Sequence, residues 1–196
     1  MTISTTGRSR RVRGKRPAGL VGAVAIGAGL MLGMAGAAPA ATTANVAAAQ
    51  VEAVTLRLAG EPGQDVNIAG ASEENGARAV QWPVARAGND LWEPEAAGGG
   101  YYRLKSVGSG KCLNVKGGGN EVNAEVIQYT CSGGAANEEW RFVPKGIGYQ
   151  IVVRSSGQCL NVRGGVGKGN QLIQYTCTAH GVANDTWLPV WEHASR

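Results

Sequence analysis

Residues 111–119 read KCLNVKGGG, residues 126–131 read VIQYTC and residues 137–140 read NEEW. The same three pieces return as QCLNVRGGV at 158–166, IQYTC at 173–177 and NDTW at 184–187. The offset hardly moves: 47 from Cys112 to Cys159 and from Asn114 to Asn161, 46 from Tyr129 to Tyr175, 47 from Trp140 to Trp187. A period near 47 residues fixes the architecture before any local reading does. Stepping back by the same interval finds a weaker copy. Asn67 lies 47 before Asn114, Trp82 lies 47 before Tyr129, and Trp92 lies 48 before Trp140. The repeats run over about 54–95, 101–143 and 149–191.

The chain's formal charge of +5 invites a nucleic-acid reading, but the charge is segregated. Arg8, Arg10, Arg11, Arg13, Lys15 and Arg16 all precede residue 17, and all 14 acidic residues lie at Glu52 or later. From residue 41 onward 13 basic residues face 14 acidic ones, leaving −1. A near-neutral body offers no electrostatic footprint for a phosphate backbone.

The basic run followed by an uncharged stretch from Pro17 to Gln50 resembles an export signal, with Ala38-Pro39-Ala40 as a small-x-small cleavage point. Residues 1–40 are therefore expected to be a cleaved signal segment, 41–53 a linker, and 54–196 the folded domain. Leu20 to Ala40 is also long enough to span a bilayer, which makes an uncleaved anchor the competing reading. Ser9-Arg10-Arg11-Val12 has the paired arginines of a twin-arginine signal, but Arg13 and Gly14 are not its usual apolar pair.

Four cysteines beyond an export signal read as two disulfides, with three possible pairings. The repeat selects Cys112–Cys131 and Cys159–Cys177, one pair in each copy. A zinc site is disfavoured: no C-x-x-C occurs, and His180 and His193 are the only histidines. In the first copy Asp65 and Val84 stand where the two cysteines would be. Both are lost together, as expected of bonded partners.

Short runs of period-2 or apolar character recur: VEAVTLRL, VNIAG, RAVQW, YYRLKS, CLNV, EVIQYT, WRFV, YQIVV, CLNV, LIQYT and WLPVW. Glycine- or Asn/Ser-rich breaks separate them. Many short strands joined by turns indicate an all-β fold. Three repeats of about four strands each suggest a pseudo-threefold closed structure, which removes exposed sheet edges. The β-trefoil has that arithmetic. Trp92, Trp140 and Trp187 are expected to fill the core near the pseudo-axis, joined by Phe142 and Trp191.

The pattern C-L-N-V, I-Q-Y-T-C, N-x-x-W, in register three times over nearly all of 54–191, resembles the ricin-B-type lectin repeat, also known as the Q-x-W carbohydrate-binding module. The resemblance implies a β-trefoil with up to three shallow sugar sites. In that family a polar residue two after the first cysteine holds sugar hydroxyls, here Asn114 and Asn161, with Asn67 in the first repeat. An aromatic residue two before the second cysteine forms the floor, here Tyr129 and Tyr175, with Trp82 in the first. An asparagine opening N-x-x-W closes the site, here Asn137, Asn184 and Asn89. The first-repeat set is expected to be the weakest, because its loop has no disulfide. The chemistry is sound on its own terms. A ring accommodates the C–H face of a pyranose, and an asparagine offers donors and an acceptor from one short side chain.

Two departures stand out. The family usually has aspartate where this chain has Asn67, Asn114 and Asn161, and a carboxylate makes bonds roughly twice as strong as a neutral group. The family's glutamine two before the aromatic is replaced by Val80, Ile127 and Ile173, while Gln81, Gln128 and Gln174 come one residue later. In a strand that offset turns a side chain to the opposite face, so these glutamines are expected to be structural. Glu138 and Asp185, next to the closing asparagines, are candidates to accept sugar hydroxyls instead. Bland readings stay open: asparagine readily bonds nearby backbone, and the tyrosines could be cross-strand packing.

Catalytic readings fail on inventory. Glu138 and Glu139 are adjacent and would face opposite ways on a strand. Neither histidine lies in a triad setting, and no phosphate-loop pattern accompanies the glycines. The sequence thus points to a secreted, non-catalytic, monomeric carbohydrate-binding protein for galactose- or xylose-containing glycans. It needs no cofactor or metal, does not bind nucleic acid, and leaves the membrane once its signal is cleaved. A protein-binding trefoil such as a protease inhibitor is the alternative, since one fold hosts both functions.

Overall fold

The computed structural model describes residues 50–195. The expected signal segment, 1–40, lies outside the described residues. Each repeat supplies four strands. The first gives β1 (Gln50–Leu58), β2 (Glu61–Ile68), β3 (Ala79–Pro83) and β4 (Trp92–Gly98). The second gives β5 (Tyr101–Ser106), β6 (Cys112–Val115), β7 (Val126–Tyr129) and β8 (Glu139–Lys145). The third gives β9 (Gly148–Val153), β10 (Cys159–Val162), β11 (Leu172–Tyr175) and β12 (Trp187–Ser195). Among the described residues the helical segments are three single 3₁₀ turns, Ala69–Ala71, Lys116–Gly118 and Ala136–Glu138. β4 escapes a sequence reading because WEPEAAG neither alternates nor clusters apolar residues. β1 starts at Gln50, inside the stretch read as linker, because β12 runs on to Ser195 and gives it an antiparallel partner.

Pairing closes the structure. β1, β4, β5, β8, β9 and β12 pair in sequence, and β12 returns to β1. This is a six-stranded barrel with no free edge. The hairpins β2–β3, β6–β7 and β10–β11 cap one end of it. They meet through three equivalent bridges, Arg78↔Ile127, Glu125↔Ile173 and Val80↔Gln171. The fold is an all-β, pseudo-threefold β-trefoil.

Trp92, Trp140 and Trp187 are fully buried. Each indole N–H donates to a backbone carbonyl of its own repeat's hairpin: Val66 at 3.0 Å, Leu113 at 2.9 Å and Leu160 at 3.0 Å. A buried indole needs such a partner, and here the bond fastens each cap hairpin to the barrel. Leu56, Leu104 and Ile151 fill the layer beside them. Phe142 packs against the edge of this core. Trp191 does not join it and is 64% exposed. Its position four residues after Trp187 keeps it on the inward face of β12. There, however, the barrel has ended, and it lines the open mouth with Tyr102, Phe142 and Tyr149.

The cap is held by glutamines. Gln81, Gln128 and Gln174 are fully buried. Gln128 Nε2 donates to the carbonyls of Ser72 and Glu74, and Gln174 Nε2 to those of Gly119 and Glu121. Gln81 Oε1 accepts from Gly167 N–H. Each repeat therefore grips a loop of its neighbour, and the ring of contacts closes. At the centre Gln171 Nε2 faces three equivalent carbonyls, those of Ala79, Val126 and Leu172, at 2.9–3.0 Å.

Disulfides join Cys112 to Cys131 and Cys159 to Cys177, the pairing expected from the repeat. Each is expected to contribute about 3 kcal/mol by restricting the unfolded chain. Replacing both cysteines of one pair by alanine should lower the unfolding free energy by about that amount, read by urea titration.

Candidate functional site

Within each cap hairpin the register puts the polar and aromatic candidates on one face. Asn114 pairs with Ile127 and Cys112 with Tyr129 across β6–β7. Directly opposed residues share a face, as do residues two apart on a strand, so Asn114 and Tyr129 point the same way and Gln128 the other. The same register holds for Asn161 with Tyr175 and for Asn67 with Trp82. Three residues after each asparagine stands a glycine with positive φ, Gly70 at 64°, Gly117 at 75° and Gly164 at 74°. That left-handed turn, costly for other residues, bends the following loop over the face.

The closing asparagines reach the same spot from the loop before the barrel strand. Asn137 Nδ2 donates to Asn114 Oδ1 and to the Val115 carbonyl, both at 2.9 Å. Asn184 does the same to Asn161 and Val162, and Asn89 to Asn67 and Ile68. The backbone carbonyl can only accept, so it fixes which end of the Asn137 amide faces inward. Both Nδ2 hydrogens are then used, which leaves Asn137 Oδ1 as the outward acceptor. Asn114 in turn offers its Oδ1 to Asn137, so its Nδ2 faces outward as a donor. Each repeat thus presents one amide donor and one amide acceptor beside an aromatic ring. An aspartate at 114 would present a second acceptor in place of the donor.

The asparagines at 67, 114 and 161 are almost wholly buried, whereas Trp82, Tyr129 and Tyr175 are 41–46% exposed. The contrast separates their roles. The asparagines are fixed by the fold, and the rings face solvent although a folding protein would gain by covering them. In the first repeat Asn67, Trp82 and Asn89 line one cleft of about 290 Å³. In the third, Asn161, Tyr175 and Asn184 line one of about 440 Å³. The first-repeat set, the least promising by sequence, is as well assembled as the others.

Two sequence expectations are corrected. Glu138 and Asp185 are buried and cannot meet a sugar. Glu138 accepts from the backbone N–H groups of Ser132 and Gly133, and Asp185 from those of Thr178 and Val182. They tie down the loop that follows the second cysteine. Asp90 plays the same part in the first repeat, taking the N–H groups of Ala85 and Arg86. The sequence signal was present, an acid after each closing asparagine, but its repetition fits loop capping as well as binding.

The first repeat differs in one further respect. Asp65, in the place of a half-cystine, is fully buried, no N–H or hydroxyl donor reaches its carboxyl, and its side-chain hydrogen-bond neighbour is another acid, Asp90. Burial pushes its carboxyl up from an ordinary 3.8 to about 9; the neighbouring Asp90 charge adds to the rise and Arg57 opposes it. Above the cleft, Lys168 Nζ from the third repeat lies 4.4 Å from the centre of the Trp82 ring.

The family model for the ricin-type β-trefoil lectin domain-like group matches residues 46–129, 91–175 and 136–192, one register for each repeat. The designed threefold-symmetric protein ThreeFoil is 33% identical and superposes with a TM-score of 0.66, over 71% of this chain and 97% of that one. An exo-β-1,3-galactanase from Clostridium thermocellum is 31% identical with a TM-score of 0.65, over 70% of this chain and 30% of that one. The Rhizoctonia solani agglutinin, 17% identical, shares the fold with a TM-score of 0.62 over 75% of this chain and 97% of its own. No curated protein matches the chain in sequence.

Proposed function

Because the chain belongs to the ricin-type β-trefoil lectin domain-like family, we propose that it is a secreted, non-catalytic lectin with a shallow sugar site in each repeat. The observation that carries this is the threefold recurrence of one constellation: an Asn–Asn pair with outward donor and acceptor, beside an exposed ring. A pyranose needs those two things, a flat apolar floor and a fixed polar rim. Galactose- and xylose-containing glycans are the ligand class, supported by the family resemblance and by similarity to part of a galactanase. Two intrachain disulfides support an oxidising, extracellular setting. The acids on the site hairpins and closing loops support a role other than catalysis, and Glu125 is paired with Lys116. Asp65 and Asp90 are buried, and Glu138 and Asp185 are committed to loop backbone. Each site alone is small and open, so retention on a polymer would come from several sites acting together.

The test is retention on immobilised galactan and xylan. Tyr129→Ala with Tyr175→Ala should weaken retention at least about tenfold, the scale of losing an aromatic anchor. Both rings are exposed, so near-ultraviolet circular dichroism should still report a folded barrel. Equal retention by wild type and double variant would reject the assigned sites. A graded control is Asn114→Asp, which exchanges the outward donor for an acceptor. It should change the order of preference among neutral sugars, scored on a glycan array, with little change in stability.

A further inference from the structure

We infer that the first-repeat cleft is specialised for an acidic saccharide, one carrying a carboxylate such as a uronic acid. The inference rests on the lectin reading above but concerns a charge difference among the three sites. The cleft's lining includes Asn67, Arg78, Trp82, Asn89 and Gly169 and contains no acidic side chain. Arg78 is exposed, and among the described residues no salt bridge joins it to a carboxylate. Glu125 lies within its electrostatic reach but is paired with Lys116 at 2.9 Å. Lys168 stands over Trp82, its ammonium facing the ring rather than a carboxylate. With the outward Nδ2 of Asn67, the cleft offers two cations and an amide donor.

The other repeats do not repeat this. The bridges Arg78↔Ile127, Glu125↔Ile173 and Val80↔Gln171 make Arg78, Glu125 and Gln171 equivalent positions. The second repeat therefore has an acid there, already paired, and the third has a buried amide. The loops gripped by Gln128 and Gln174 carry Glu74 and Glu121, whereas the loop gripped by Gln81 carries Lys168. The first cleft has one cation in its lining and a second over its ring, whereas the equivalent lining position is a paired acid in the second repeat and a buried amide in the third. The nearby Lys116 and Arg163 are engaged by Glu125 and by the Asn123 carbonyl. A guanidinium matches a carboxylate with two parallel donors, and such charge-assisted bonds outweigh neutral ones. A neutral sugar, by contrast, must displace Lys168 from the ring and offers its ammonium only uncharged hydroxyl acceptors in exchange. The asparagine at 67 completes the logic, because an aspartate there would repel the same ligand.

The experiment is a titration of the ¹⁵N-labelled protein with galacturonic acid trisaccharide, and separately with neutral galactotriose. It is read at the Trp82 indole N–H, assigned through Trp82→Phe. The acidic sugar should move that signal at concentrations about tenfold lower than the neutral one, the scale of one charge-assisted bond. Added salt and the Arg78→Ala, Lys168→Ala double variant should each remove that advantage. Acetate alone should leave the signal in place, since the ring and amides recognise the sugar body. Equal response to both trisaccharides, or an acidic-sugar response untouched by the double variant, would overturn the inference. If galactotriose moves the neighbourhoods of Tyr129 and Tyr175 while the acidic sugar leaves Trp82 still, this inference alone falls. If neither sugar moves any of the three rings, this inference falls together with the galactose-directed form of the lectin reading.

Discussion

Trp140→Ala should cost roughly 3–5 kcal/mol of unfolding free energy, as truncation of a fully buried indole does. The side chain is 0% exposed, and its N–H is the bond that holds β6 to the barrel through the Leu113 carbonyl. Against a total stability of about 5–15 kcal/mol for a domain, that loss brings the protein close to unfolding. Trp140→Phe keeps most of the volume but strands the carbonyl, and should cost about 1–3 kcal/mol. Guanidinium unfolding of the two variants separates packing from hydrogen bonding. If both retained the wild-type midpoint, the tryptophan would not be the anchor described. The equivalent bonds from Trp92 and Trp187 predict the same ordering at those positions.

The second large effect is a gain. Asp65 and Val84 stand where the other repeats have bonded cysteines, and Asp65 pairs with Trp82 as Cys112 pairs with Tyr129. Asp65→Cys with Val84→Cys should restore a third staple worth about 3 kcal/mol in a loop of similar length. It also removes a buried acid whose side-chain neighbour is a second acid, adding about 1–3 kcal/mol. The acid's contribution depends on pH. Its native carboxyl holds its proton to about 9, while in the unfolded chain it ionises near 3.8. Between those values the native state carries the extra proton, so stability falls as pH rises. The native acid's contribution is fully present below the unfolded value and lost as pH passes the folded one. Asp65→Asn keeps the shape without the titration. Its melting temperature should match wild type near pH 4 and exceed it increasingly toward pH 9. Parallel pH profiles for the two proteins would refute this account.

The repeat was legible because it is written in residues that do one job each. The three tryptophans, the two cysteine pairs and the offset glutamines could be placed from spacing and strand alternation alone, and each is where that logic puts it. What the sequence hid was relational. Nothing in the spacing of Asn114 and Asn137 tells that they bond to each other, because the contact forms between a strand and a distant loop. That bond decides that the site presents an amide donor. Glu138 and Asp185 misled for the opposite reason: an acid beside a binding asparagine looks functional until its backbone partners are seen. Trp191 misled because alternation gives the face of a strand but not how far the barrel extends along it. The cation over Trp82 comes from a different repeat, so no local reading could find it.

The amide of Gln171 at the centre of the cap carries a consequence for how such a chain can diversify. A point on a threefold axis has room for one long side chain, yet three identical copies would send three. Three glutamines here would compete for one set of carbonyls, and in this chain the competition is avoided because the other two copies carry residues that turn outward. Arg78 and Glu125 are those two, one exposed beside the first cleft and the other paired at the surface with Lys116. The symmetric scaffold thus carries a different residue type at this position in each repeat. The residues displaced from the axis are the ones that give neighbouring sites different charge.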